Sequence, residues 1–190
     1  MNKIILILFI ILNFQSWTFA NDIRDFEIEG ISVGDSLLNF YSESEINNNL
    51  GNFYNDDEFL VTVLPTLEND SMYEYIQVHF KKSDKQYLVY SIDGMIDIDI
   101  KKCLEIQESV NNELSSLFKN ISSDGPYIQP HLADKSGKSK STHFTWYFSN
   151  DDLIDIVCYD FVKPITWLDG LNVSISKNEL LEWLRNKAYK

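Results

Sequence analysis

What most constrains this 190-residue chain is a set of short runs in which every second side chain is apolar. Tyr73 to Lys82 reads YEYIQVHFKK and puts Ile76, Val78 and Phe80 on one side of an extended chain. His143 to Ser149 (HFTWYFS) does the same with Phe144, Trp146 and Phe148, and Leu153 to Val162 (LIDIVCYDFV) with Ile154, Ile156 and Cys158. Period two is the repeat of a half-buried strand, because successive side chains leave the pleat on opposite faces. Three more segments read as strands: Glu58 to Leu64, stopped by Pro65; Gln86 to Ile92, resuming at Met95 to Ile100; and Leu168 to Ile175. Ser83-Asp84-Lys85 and Asn150-Asp151-Asp152 are turn formers, and strands joined by tight turns pair antiparallel.

Helical patterns punctuate these strands. Leu37, Leu38, Phe40 and Tyr41 suggest a short helix after Gly34. Ser42-Glu43-Ser44-Glu45 is a capping box, so a second helix runs through Ile46 toward Leu50, with Gly51 as its stop. A longer helix opens at Cys103 and carries Ile106, Val110, Leu114 and Leu117 on one face, ending near Lys119. Ser176-Lys177-Asn178-Glu179 is a second capping box before a closing amphipathic helix with Leu180, Leu181, Trp183 and Leu184. Residues 120–142 lack periodicity and read as a long, mobile loop. The expected fold is α+β: a mainly antiparallel sheet of about six strands with helices on one face, in the order αα-βββ-α-βββ-α.

The first 20 residues have one charge, Lys3, an apolar run from Ile4 to Leu12, and Thr18-Phe19-Ala20 as a small-residue cleavage site. That is the pattern of a secretory signal peptide, too short and too broken by Asn13, Gln15 and Ser16 to span a membrane. Cleavage after Ala20 leaves a single domain over 21–190, in the periplasm or secreted. The formal charge is −13, and −14 once Lys3 is gone. So acidic a chain lacks the basic footprint of a nucleic-acid binder. Export also lets disulfides persist, and Cys103 and Cys158 both face the expected core, so a Cys103–Cys158 link is expected.

Motifs for chemistry are sparse. Gly34-Asp35-Ser36-Leu37 is the signature tetrapeptide of GDSL-type serine hydrolases, and Ser36 follows an extended stretch as it does there. The family's Gly-x-Asn-Asp block and C-terminal Asp-x-x-His are missing, so nothing supplies a base or oxyanion donors. The tetrapeptide reads instead as a turn at Gly34 and a cap by Asp35 or Ser36. Gly137-Lys138-Ser139 lacks the first glycine of a phosphate-binding loop, where Leu132 stands. His131, Asp134, His143 and Asp124 have no fixed metal-ligand spacing, and no metal or cofactor is expected. The outward strand face is more informative. Opposite the core residues lie Tyr73, Tyr75 and His79, then Tyr147, then Tyr159. Tyrosines combine apolar area with a polar tip and suit the binding of a protein or glycan partner.

Two resemblances add to this. Ile31-Ser-Val-Gly-Asp-Ser-Leu-Leu38, the Ser-Glu-Ser-Glu-Ile46 segment and Leu50-Gly51 before three strands resemble the αα-βββ unit of BamE-like and β-lactamase-inhibitor-protein-like domains, over residues 31–100. That likeness implies protein–protein binding in the envelope. From IRDFEIEGISVGDSLL through IVCYDF to WLRNKAYK, the chain also resembles an uncharacterised family of small exported proteins from marine bacteria, which implies export and no particular activity. Together these point to an exported, non-catalytic interaction module of the bacterial envelope. The alternatives are a hydrolase using Ser36 or a purely structural envelope protein.

Overall fold

The computed structural model describes residues 22–118, 120–132, 134–163 and 167–190; the expected signal peptide and its cleavage site lie outside them. The fold is α+β, built on one antiparallel sheet of eight strands rather than six. The strands are β1 (Leu50–Gly51), β2 (Phe59–Pro65), β3 (Tyr75–Lys81), β4 (Ser91–Asp97), β5 (Ser122–Pro130), β6 (Lys140–Tyr147), β7 (Leu153–Asp160) and β8 (Gly170–Ser176). The helices are α1 (Glu43–Asn48), α2 (Ile100–Leu117) and α3 (Asn178–Asn186). The sheet order β1-β2-β3-β4-β8-β7-β6-β5 joins two four-stranded meanders through the β4–β8 pair, with Ser91 opposite Ser176 and Asp97 opposite Gly170. Between the meanders, α2 crosses one face and packs on β7 and β8.

That first face holds the main core. Ile76, Val78, Phe80, Ile92, Trp146, Ile154, Ile156, Leu171 and Ile175 point into it, under α2 and the N-terminal segment with Ile31, Leu37 and Ile46. Gly94 lies on this face because the Tyr73 ring occupies the place of a side chain: a Cβ there would stand 2.4 Å from the ring. Asp99 caps α2 by accepting from the Lys102 N–H. The buried Gln107 amide donates to the carbonyls of Thr142 and Ile156, at 2.7 and 2.6 Å, so its own polarity is satisfied. As expected, Cys103 of α2 and Cys158 of β7 are linked, which pins the helix to the sheet.

Several expectations are corrected. Residues 120–142 are not one loop: Ser122–Pro130 pairs with β6 as an edge strand. It shows no alternation because every position in it except Tyr127 is exposed, so there is no face to bury. The register also shifts between Asp124 and Tyr127, around Gly125-Pro126. Residues 86–90 are irregular, and the continuous strand starts at Ser91. Leu37–Asn39 form only a 3-10 turn. The Ser42–Glu45 capping box forms as read. The one at Ser176 does not: the N-terminal N–H of α3, on Asn178, is taken by the Asp152 carboxylate of the β6–β7 turn, 2.9 Å away. Nor do the helices share one face. Leu180 and Trp183 of α3 pack on Phe59, on the side of the sheet opposite α2.

Candidate functional site

The second face of the sheet is apolar under α3 and polar beyond it. Phe59, Leu180, Trp183 and Ala188 form a small separate core. Tyr54 packs edge-on against Trp183 and Tyr189 and contacts His79 Nε2 through its hydroxyl at 2.8 Å. Past this cover lies a run of polar groups on four neighbouring strands: the buried Ser91 and Asp93 on β4, Asn172 and Ser174 on β8, and Ser141 and His143 on β6, with the half-buried Asp155 on β7. Alternation puts them there, because the other face of the same strands carries the main core. Among the described residues His79 Nδ1 and Asn172 Oδ1 find no hydrogen-bond partner, and the nearest Asp93 oxygen is 3.6 Å from His79 Nδ1.

The β5–β6–β7 side of this face is a connected network. His143 Nδ1 is 2.8 Å from Asp155 Oδ2, and His143 Nε2 is 2.7 Å from Ser141 Oγ. The other carboxylate oxygen, Oδ1, accepts from Thr145 at 3.0 Å. Thr145 is in turn 2.9 Å from the Tyr127 hydroxyl, and the Tyr127 ring stacks on His143 with 4° between planes. Gln129, exposed on the edge strand, brings its amide nitrogen to 3.0 Å from His143 Nε2. An ionised carboxylate only accepts, so the Nδ1–H donates to Asp155; Nε2 is then the acceptor for the Ser141 hydroxyl and the Gln129 amide.

Beside Ser141, past the end of β7, stands an aromatic cluster. Tyr159 and Phe161 stack at 5.4 Å with 16° between planes. His131 meets Tyr159, Phe161 and Trp167 edge-on at 5.0–5.5 Å. Trp167 is 37% exposed, next to Leu168 at 65%. Burial raises the Tyr159 hydroxyl pKa above the ordinary tyrosine range, with the charges of Asp93 and Asp155 adding to it. Burial also lowers the His131 imidazole pKa. Tyr189, over the neighbouring part of the face, is pushed up to about 12 by its burial.

The structure separates the residues that the sequence placed together. Tyr159, Tyr75 and His79 are on the second face as read. Tyr75 donates to Asp97 Oδ1 at 2.9 Å, and His79 is buried under Tyr54. Tyr147 is on the same face but at the opposite end of β6 from Ser141, the residue that pairs with Tyr159. Six residues of strand separate the two, about 20 Å. Tyr73 lies on the other face, over Gly94, because it precedes the strand and the chain has not yet entered the ladder. Ser36 is remote from this site: its hydroxyl donates to the Gln86 carbonyl at 2.6 Å, and Gly34 turns the chain at φ +96°. Neither Asp35 nor Ser36 caps the turn that follows, since Asp35 accepts from the Ser32 N–H.

The Ser141–His143–Asp155 network is the feature that sequence reading missed. Its signal was present: the Asn150–Asp152 turn fixes the β6–β7 register, which sets Asp155 opposite Thr145 and one diagonal step from His143. Among the described residues no helix is long and apolar enough to cross a membrane. No protein-family model, curated protein or solved structure matches this chain.

Proposed function

We propose that the protein is an exported binding module, periplasmic or secreted, and that its ligand is a carbohydrate held at the aromatic cluster of Tyr159, Phe161, Trp167 and His131. The observation that carries this reading is the exposed Trp167 beside the stacked rings of Tyr159 and Phe161, with the exposed Gln129 amide on the adjoining edge strand. A sugar ring offers C–H faces to an indole and hydroxyls to amide and imidazole groups, so such a mixed site satisfies both. A protein partner fits this face less well. Stable protein interfaces need roughly 800 Å² from each side. The strand residues of this face are largely buried already, part of them under α3. The Cys103–Cys158 link is compatible with an extracytoplasmic location, where oxidised cysteines persist.

Calorimetric titration of the protein against a panel of defined oligosaccharides, including peptidoglycan, chitin and β-glucan fragments, tests this. At least one should bind, and Trp167→Ala should weaken it at least about tenfold, the loss of one large aromatic contact. Binding unaffected by Trp167→Ala and Phe161→Ala together, or none across the panel, contradicts the reading.

A further inference from the structure

We propose that Ser141, His143 and Asp155 form a nucleophile, base and orienting carboxylate that hydrolyse small acyl esters. The argument is atom by atom. A serine hydroxyl becomes a nucleophile when an imidazole nitrogen able to take its proton stands within hydrogen-bond reach. Here His143 Nε2 is that nitrogen, 2.7 Å from Ser141 Oγ. The imidazole must present that tautomer and must be stabilised when it takes the proton. Asp155 Oδ2 does both from 2.8 Å at Nδ1. Asp155 is itself fixed by Thr145, and the ring plane of His143 is fixed by Tyr127. All of these sit on rigid strands β5, β6 and β7, so their mutual geometry is built into the sheet.

The same residues on adjacent positions also explain why a serine and histidine two residues apart meet here: positions 141 and 143 point to one face of β6. Ser141 is 3% exposed, but Gln129, whose amide reaches the same nitrogen, is exposed on the edge strand. Substrate entry turns that amide away from Nε2 and toward the reacting carbonyl, where its N–H groups serve the developing oxyanion.

The chemistry balances without any further reagent than water. Ser141 Oγ bonds to the acyl carbon as its proton passes to His143 Nε2, and the carbonyl electron pair moves onto oxygen. Collapse of this intermediate breaks the ester C–O bond, and the departing alkoxide takes the proton from Nε2. Water then attacks the acyl-serine in the same way, releasing the carboxylic acid and restoring the hydroxyl. Ser141 and His143 are the catalytic residues, and Asp155 is a positioning residue.

The test is a fluorophosphonate probe on the oxidised protein, with the labelled peptide mapped by mass spectrometry. The wild type should label at Ser141. Ser36→Ala should label equally, and His143→Ala should slow labelling at least about 100-fold. With p-nitrophenyl acetate, Asp155→Asn should lower kcat at least about 100-fold while KM moves less than about threefold, the pattern of a group that acts through the imidazole. Because the site is mapped on the wild type, the outcome does not depend on a variant that fails to fold. It also does not depend on oligosaccharide binding, so the two readings fail separately. No labelling of the wild type, or labelling at any other serine, overturns the proposal.

Discussion

At the residue scale, polar side chains here do local structural work that pH can reveal. Asp134 accepts from the Ser139 N–H at 2.8 Å and from the Ser136 N–H and hydroxyl at 2.8 and 2.9 Å. The Ser139 backbone bond is the main reason its carboxyl titrates well below the ordinary carboxylate range, and the Ser136 hydroxyl adds to it. A depressed folded pKa means the carboxylate stabilises its turn above the ordinary Asp value of about 3.9, and this is lost as pH falls through the lower, folded value. In an NMR pH titration the Ser136 and Ser139 amide resonances should hold their positions at pH 4 and move only under stronger acid. A midpoint near pH 4 would show that the turn around Asp134 does not hold. The same serine-rich tract was visible in the sequence only as part of the long loop 120–142, because a hydrogen-bonded Asx turn has no periodic signature.

At the element scale, strands whose two faces differ were legible and strands without a buried face were not. β3, β6 and β7 alternate cleanly because one face meets the core. β5 escaped because the solvent and the sheet edge erase alternation there. The placement of α3 was also hidden. EFLVTVL in β2 is apolar on both faces, so it does not say which side needs a helix, and the amphipathic α3 fits either. What fixes α3 is Phe59 under Trp183, together with the Asp152 carboxylate at its first N–H. Asp152→Ala should therefore cost about 1 kcal/mol in urea unfolding, while Asp152→Asn, which keeps an acceptor, should cost much less. Equal losses from both would mean that the charge, not the hydrogen bond, is what matters there. The candidate site shows the same division. Tyr159 and Phe161 were legible from alternation in the run 153–162, but their partners His131 and Trp167 come from loops and had no periodic signal.

At the scale of the whole molecule, the two meanders are joined in the sheet through β4–β8, and α2 crosses between them under the Cys103–Cys158 link. The cysteines are 55 residues apart. Closing a loop of that length removes chain entropy from the unfolded state worth about 4 kcal/mol. The Cys103→Ala/Cys158→Ala double variant should lose a comparable amount of unfolding free energy, in guanidinium melts under oxidising conditions. A loss under about 1 kcal/mol would show that α2 is held on β7 by packing alone. One face of the sheet is closed by α2 and the N-terminal segment, and part of the other by α3. At the corner where β5, β6 and β7 meet the aromatic cluster, Gln129 and Trp167 are exposed.

The central claim, that this corner is the ligand site, has a direct optical test. Of the tryptophans described, Trp146 and Trp183 are 2% and 3% exposed, whereas Trp167 is 37% exposed. With residues 1–20, and so Trp17, removed, acrylamide quenching of the folded protein therefore reports on Trp167 almost alone. An oligosaccharide that binds should protect this fluorescence from acrylamide in a saturable way, and Trp167→Phe should remove both the quenchable fraction and the protection. Binding that leaves the acrylamide quenching of Trp167 unchanged would place the ligand elsewhere and contradict the account.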